Sequence, residues 1–165
     1  CCGQMDVQCC KDGLFVAENS RDRVVHYDIE GNEIHKWGKS DRTGINGFTS
    51  CCNPMNVCFD KSGYIYTAES GSGRIKCFDS TGKLISYVGD VDLVPGCKNV
   101  SIAVSPVNNK IYMLDLTRNH IKVMEPKAAV ENLQNNNGDS QTGASIKVRS
   151  STPVATARIK VEATK

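Results

Sequence analysis

Three copies of one pattern fill residues 1–127, and each opens on cysteine. The first runs from Cys1 to Gly38, the second from Cys51 to Gly89 and the third from Cys97 to Pro126. With one gap near Gly13, Cys1, Cys51 and Cys97 fall in one column. Glu18, Glu69 and Asp115 share a second column, and Arg23, Arg74 and His120 a third. A unit that repeats every ~46–50 residues cannot bury its own apolar face, and stacking neighbouring units supplies the shared core.

The units read as short strands punctuated by turn residues. In the second copy, residues 55–59 form an apolar run that ends at the turn Asp60-Lys61-Ser62-Gly63. Residues 64–68 are aromatic and β-branched, Gly71-Ser72-Gly73 turns the chain into 74–78, and Asp79-Ser80-Thr81-Gly82 turns it again into 84–88. The first copy follows the same plan at 14–17, 23–27 and 33–37, after its own first strand. The third carries strands at 100–104, 110–114 and 121–124, then breaks at Pro126 with its fourth strand missing from the usual place. No stretch sustains a 3.6-residue period, so little helix is expected. The predicted class is all-β, with three four-stranded β-propeller blades and a C-terminal strand-forming tail.

Composition changes after Lys127. Residues 128–143 read as a flexible linker, Asn/Gln/Gly/Ser-rich over 132–143, and 144–165 as a tail. Within the tail, Ile146 and Val148 alternate with Lys147 and Arg149, and Ile159 and Val161 with Arg158, Lys160 and Glu162. Each is a candidate strand with one face to bury. Either is expected to add to a sheet edge, its own or a partner's, and addition to a partner can propagate into a filament. Three open blades leave sheet faces uncovered, so the chain is expected to be incomplete alone. Other chains, or a segment upstream of Cys1, would complete the ring.

Residues 1–127 carry 15 basic and 15 acidic side chains, and the chain's net charge of +2 lies in the tail. No basic stripe is present to neutralise a nucleic-acid backbone, so nucleic acid is not expected as a partner. No apolar run approaches the ~20 residues of a membrane-spanning helix. Nine cysteines in 165 residues is a high density, and it points to an extracytoplasmic, oxidising location or to a metal site.

The second copy, NPMNVCFDKSGYIYTAESGSGRIKCFDSTGKLISYVG, resembles an NHL repeat. That motif joins an apolar strand to a D-x-x-G turn, here Asp60 and Gly63. A strand of the type Y-V-A-[DE] follows (Tyr66 to Glu69), then an Arg five residues after the acid (Arg74), then a turn of the type F/Y-D-x-x-G-K (Phe78 to Lys83). The first copy matches at Asp12, Gly13, Phe15 to Glu18, Arg23 and Tyr27 to Gly31. The third keeps Asp115 with His120 in the Arg column. The doubled cysteines resemble those of a Cys-rich bacterial group of NHL proteins. The resemblance implies a propeller. It leaves function open, because NHL propellers include protein-binding and RNA-binding modules, extracellular domains and a metal-dependent lyase.

The acid and Arg columns are expected to be structural ion pairs, Glu18 with Arg23 and Glu69 with Arg74, with Asp115 as the third acid; catalytic groups are rarely copied in every blade. His26, His35 and His120 occupy different blade positions and are not expected to converge on a metal. Cys1, Cys2, Cys51, Cys52 and Cys97 precede the first strands, which line a propeller's axis. They are candidates for disulfide staples, with Cys52–Cys97 and Cys2–Cys51 the favoured pairs, or for a Cys-bound metal or iron–sulfur cluster. The leading expectation is a non-enzymatic, extracytoplasmic module for protein binding or self-association, without a cofactor. The alternatives are a Cys-ligated metal or electron-transfer protein and, third, a lyase-like enzyme.

Overall fold

The computed structural model of the chain describes residues 5–43, 45–49, 52–71, 73–88, 100–125 and 158–161. The D-x-x-G turns form as their chemistry dictates. The Asp60 carboxylate accepts the N–H groups of Ser62 (2.8 Å) and Tyr64 (3.0 Å), and Gly63 takes the positive φ of 84° that closes the turn. The Asp79 carboxylate accepts the N–H groups of Thr81 (2.9 Å) and Lys83 (3.0 Å) in the same way. In the third copy, which lacks this glycine, Asn109 adopts the left-handed conformation (φ 56°) and donates its N–H to the Ser105 carbonyl.

Between these turns lie β1 (Asp6–Cys10), β2 (Gly13–Glu18), β3 (Arg23–Tyr27) and β4 (Glu33–Trp37), which pair in that order as one antiparallel sheet. The second sheet is β5 (Asn56–Phe59), β6 (Ile65–Glu69), β7 (Arg74–Phe78) and β8 (Leu84–Val88). The third contains β9 (Val100–Val104), β10 (Ile111–Asp115) and β11 (His120–Glu125). Its fourth strand is β12 (Arg158–Val161), which pairs antiparallel with β11, Lys122 opposite Val161 and Glu125 opposite Arg158. The strand expected around Ile159 and Val161 therefore adds to a sheet of its own chain. Ile146 and Val148 lie outside the described residues. One 3-10 turn, Asn19–Arg21, is the only helical piece among the described residues, none of which forms a helix long and apolar enough to cross a membrane.

The protein is thus all-β, with three open four-stranded antiparallel sheets. The first two share a bulge at the same point, between His26 and Tyr27 and between Cys77 and Phe78. The sheets stack in chain order. β5 lies against β1 and β2 on one side and β9 on the other, and the Asp6 carboxylate ties the first two sheets by accepting the Val57 N–H at 3.0 Å.

Strand alternation assigns each residue to one sheet face. The back of the first sheet (Phe15, Ala17, Val24) packs on the front of the second (Val57, Ile65, Phe78), with Phe48 between them. The back of the second (Ala68, Ile75) packs on the front of the third (Ile102, Ile111, Met113, Met124), with Cys52 and Met55 alongside. Each fully buried aliphatic or aromatic side chain contributes ~1.5–3 kcal/mol. The middle sheet is covered on both faces. Farther out, Trp37 of β4 presses on the second sheet's last turn, where a Cβ on Gly82 would stand 2.5 Å from its ring.

Candidate functional site

β2, β6 and β10 each end on the acid of the repeat, and the three acids meet different surroundings. Glu18 forms the expected pair, its carboxylate accepting from Arg23 Nε at 2.5 Å, and that bond raises the Arg23 pKa further above its already basic range. Arg74 stands opposite Glu69 in the ladder. Yet the buried partner of Glu69 is a residue that the sequence reading missed: Lys76 Nζ lies 2.6 Å from Glu69 Oε1, both side chains being buried. Arg74 opens β7 at its half-buried end, whereas Lys76 lies two residues farther along, on the covered face.

The other carboxylate oxygen of Glu69 accepts the Thr49 N–H (2.9 Å) and hydroxyl (2.6 Å). Lys76 also donates to the Gly47 carbonyl and lies 4.9 Å from the centre of the Phe48 ring. Asn53 donates to the Thr49 carbonyl and accepts the Ser70 N–H at 2.9 Å. This polar cluster clips the segment that joins the first two sheets onto β6 and β7. Burial pulls the Lys76 pKa below its ordinary value, with the Glu69 carboxylate opposing the shift.

Asp115 repeats the arrangement. Its carboxylate accepts the Arg118 N–H (3.2 Å) and Nη1 (3.1 Å), with the buried Lys122 Nζ 3.7 Å away. Burial alone would raise the Asp115 pKa, but the bonds from Arg118 and the Lys122 charge outweigh it and hold the carboxyl below its usual value. Lys76 and Lys122 share one repeat column, two residues after Arg74 and His120, and Val25 fills that column in the first copy. The signal was an Ile-Lys step common to two copies, with an apolar residue after it. Every acid in the column engages a cation of its own sheet, so the column ties neighbouring strands within each sheet rather than offering a base to solvent.

His26 and His35 meet across β3 and β4, edge to face with ring centres 5.1 Å apart, whereas sequence position alone kept them apart. His26 stacks on Phe15 at 3.9 Å and bonds through Nε2 to the Asp12 carbonyl, and His35 stacks on Trp37 at 5.3 Å. Burial, then the His26 charge, lowers the His35 pKa. The pair belongs to an aromatic layer between the sheets. Above it, the turns at 10–12, 60–64 and 79–80 frame a groove of about 680 Å³ floored by Phe15, His26 and Phe59. No cluster of three or more metal-binding side chains occurs among the described residues.

Of the cysteines singled out, Cys52 is buried in the core between the second and third sheets. Cys1, Cys2, Cys51 and Cys97 lie outside the described residues, and no disulfide joins two described residues. Two others share the back of the second sheet: burial pushes the Cys58 thiol up to about 12 and raises Cys77 as well. Neither is a ready nucleophile.

The ends of the stack differ from its interior. On the front of the first sheet, Val7 is 57 % exposed, while its repeat equivalent in the second sheet, Val57, is 1 % exposed. Leu14, Val16 and Tyr27, all half-buried, share that face, as does Val25, which is buried. On the back of the third sheet, Ile121 is 43 % exposed, while its equivalent Ile75 is 1 % exposed. Ala103, Tyr112, Leu114 and Val123 share this second face. No protein-family model and no curated protein matches the chain. These two apolar faces, more than any polar cluster, distinguish the surface.

Proposed function

We propose that the three sheets are consecutive NHL-type propeller blades of a non-enzymatic module for protein binding and self-association, and that the two apolar end faces are its working surfaces. One observation carries the reading: at each end of the stack one repeat position that is sealed in the interior is open, Val7 against Val57 and Ile121 against Ile75. Apolar positions at both ends of one stack mark sites of association. The blade assignment is supported by the shared turns and the shared bulge, and by the closest approach of the sheets along their first strands. The acid columns support a non-catalytic role, since their charges are spent on internal pairs.

Binding of the dye 1-anilinonaphthalene-8-sulfonate to dilute protein tests this. The intact chain enhances the dye's fluorescence, and Val7→Asp combined with Ile121→Asp abolishes most of the enhancement without moving the thermal midpoint. Equal enhancement by the intact chain and the double variant would overturn the reading.

A further inference from the structure

We infer that the front of the first sheet docks on the back of the third sheet of a second copy, so that two copies close head to tail into one ring. The inference rests on the proposal that the end faces are association surfaces, and it names what covers them.

The rule for the contact is written twice inside each chain. At both interior interfaces the front of one sheet receives the back of the sheet before it. The face left over at one end is a front (Val7, Cys9, Leu14), and the face left over at the other is a back (Tyr112, Leu114, Ile121). Each complements the other and not itself, so the contact is heterologous. Along its inner strands the front carries little charge. Glu18 and Arg23 bring a formed ion pair to the front, and Val25 replaces the buried lysine of the other two copies. On the back of the third sheet, Arg158 and Lys160 of β12 stand in register with Glu125 and Val123, so charge on that face gathers along its outer strand.

A heterologous contact either closes or propagates. Propellers close at roughly 4 to 8 blades, and two copies supply six, the one multiple of three in that range. Strand exchange through β12 is not required, because β12 completes its own chain's sheet.

The interior also supplies the atomic register. Phe59, on the front of the second sheet, meets Phe15, on the back of the first, with ring centres 5.2 Å apart. Their equivalents at the open ends are Cys9, an exposed thiol, and Tyr112. Cys9 of one copy thus faces Tyr112 of the other.

Light scattering on the intact chain is expected to give twice the 18.0 kDa chain mass. Val7→Asp alone and Ile121→Asp alone each give single copies. An equimolar mixture of the two variants recovers a two-copy species, because one undamaged front still meets one undamaged back. Independently, Tyr112→Cys treated with a short bis-maleimide yields a covalent two-copy product that is lost when Cys9→Ser is added. This second measurement decides the matter should either aspartate variant fail to fold. A single-copy intact chain that still binds the dye on its end faces would overturn the second copy and leave the end faces standing as protein-binding surfaces. Mass that grows without limit would overturn ring closure. A mixture that stays single-copy, together with no Cys9-dependent cross-link, would overturn the head-to-tail contact.

Discussion

Lys76 carries its ammonium into the space between two sheets, where leaving water costs several kcal/mol before any partner is counted. Glu69, the Gly47 carbonyl and the Phe48 ring together repay that cost. Removing one partner leaves a buried charge alone, so Lys76→Ala is expected to destabilise by about 3–5 kcal/mol, and Glu69→Leu with Lys76→Met by less than that single change. Arg23→Ala, at the more exposed pair, is expected to cost no more than about 1 kcal/mol. Urea unfolding of the four proteins separates these outcomes. Asp115 adds a dependence on pH. Its folded pKa lies below the unfolded value, so its carboxylate contributes in full above about pH 4 and loses that contribution as pH falls through the folded value. Asp115→Asn is expected to flatten the loss of stability below about pH 4, which acid titration of the unfolding midpoint reads directly. At this scale the sequence was legible for Glu18 and Arg23, where acid and base lie on facing strand ends. It was opaque for Lys76, because a lysine among apolar neighbours reads as a solvent-facing residue of an alternating strand. Only a sheet covered on both faces turns it inward.

At the scale of elements, turn chemistry did most to make the strands readable. β3, β4, β7, β8 and β9 fall at the residues expected from their flanking turns, and β2, β5, β6, β10 and β11 differ from their expected bounds by one residue at one or both ends. Along β2 of the first sheet the periodicity is visible, because one of its faces is only half-covered. β7 shows no such alternation, because four of its five residues are buried. β12 was readable as a strand but not as to its destination, which depends on a free edge at β11 that the third copy's missing segment creates. Ile159→Pro removes a backbone donor from this ladder. Amides of 122–125 are then expected to exchange with solvent roughly tenfold faster, the equivalent of a lost bond of about 1–1.5 kcal/mol. Unchanged protection in hydrogen-exchange mass spectrometry would show that β12 does not hold the edge.

For the whole molecule, stacking makes the middle sheet the one on which the other two depend. Ile75 and Ile121 are the same side chain at the same repeat position, and only the first is sealed. Ile75→Ala is expected to cost about 2–5 kcal/mol. Ile121→Ala, measured at a concentration where copies are separate, is expected to cost less than about 1 kcal/mol. Chemical unfolding of the two variants side by side checks the order of the sheets as well as their burial. The repeat columns gave this equivalence from sequence alone. Which faces meet was not readable there, because alternation defines two faces without saying which one a neighbour covers.

The late arrival of β12 gives the protein a timetable. The first sheet needs no residue beyond 37 and the second none beyond 88, so each closes from contacts local in the chain. The third waits for residues 158–161. At roughly 5–20 residues per second of synthesis, the second sheet is complete on the order of several seconds before β12 leaves the ribosome. From the synthesis of β11 until then, roughly 2–7 seconds at the same rate, β11 is an open edge on a nascent chain, exposed to a chaperone or a neighbouring chain before its own strand arrives.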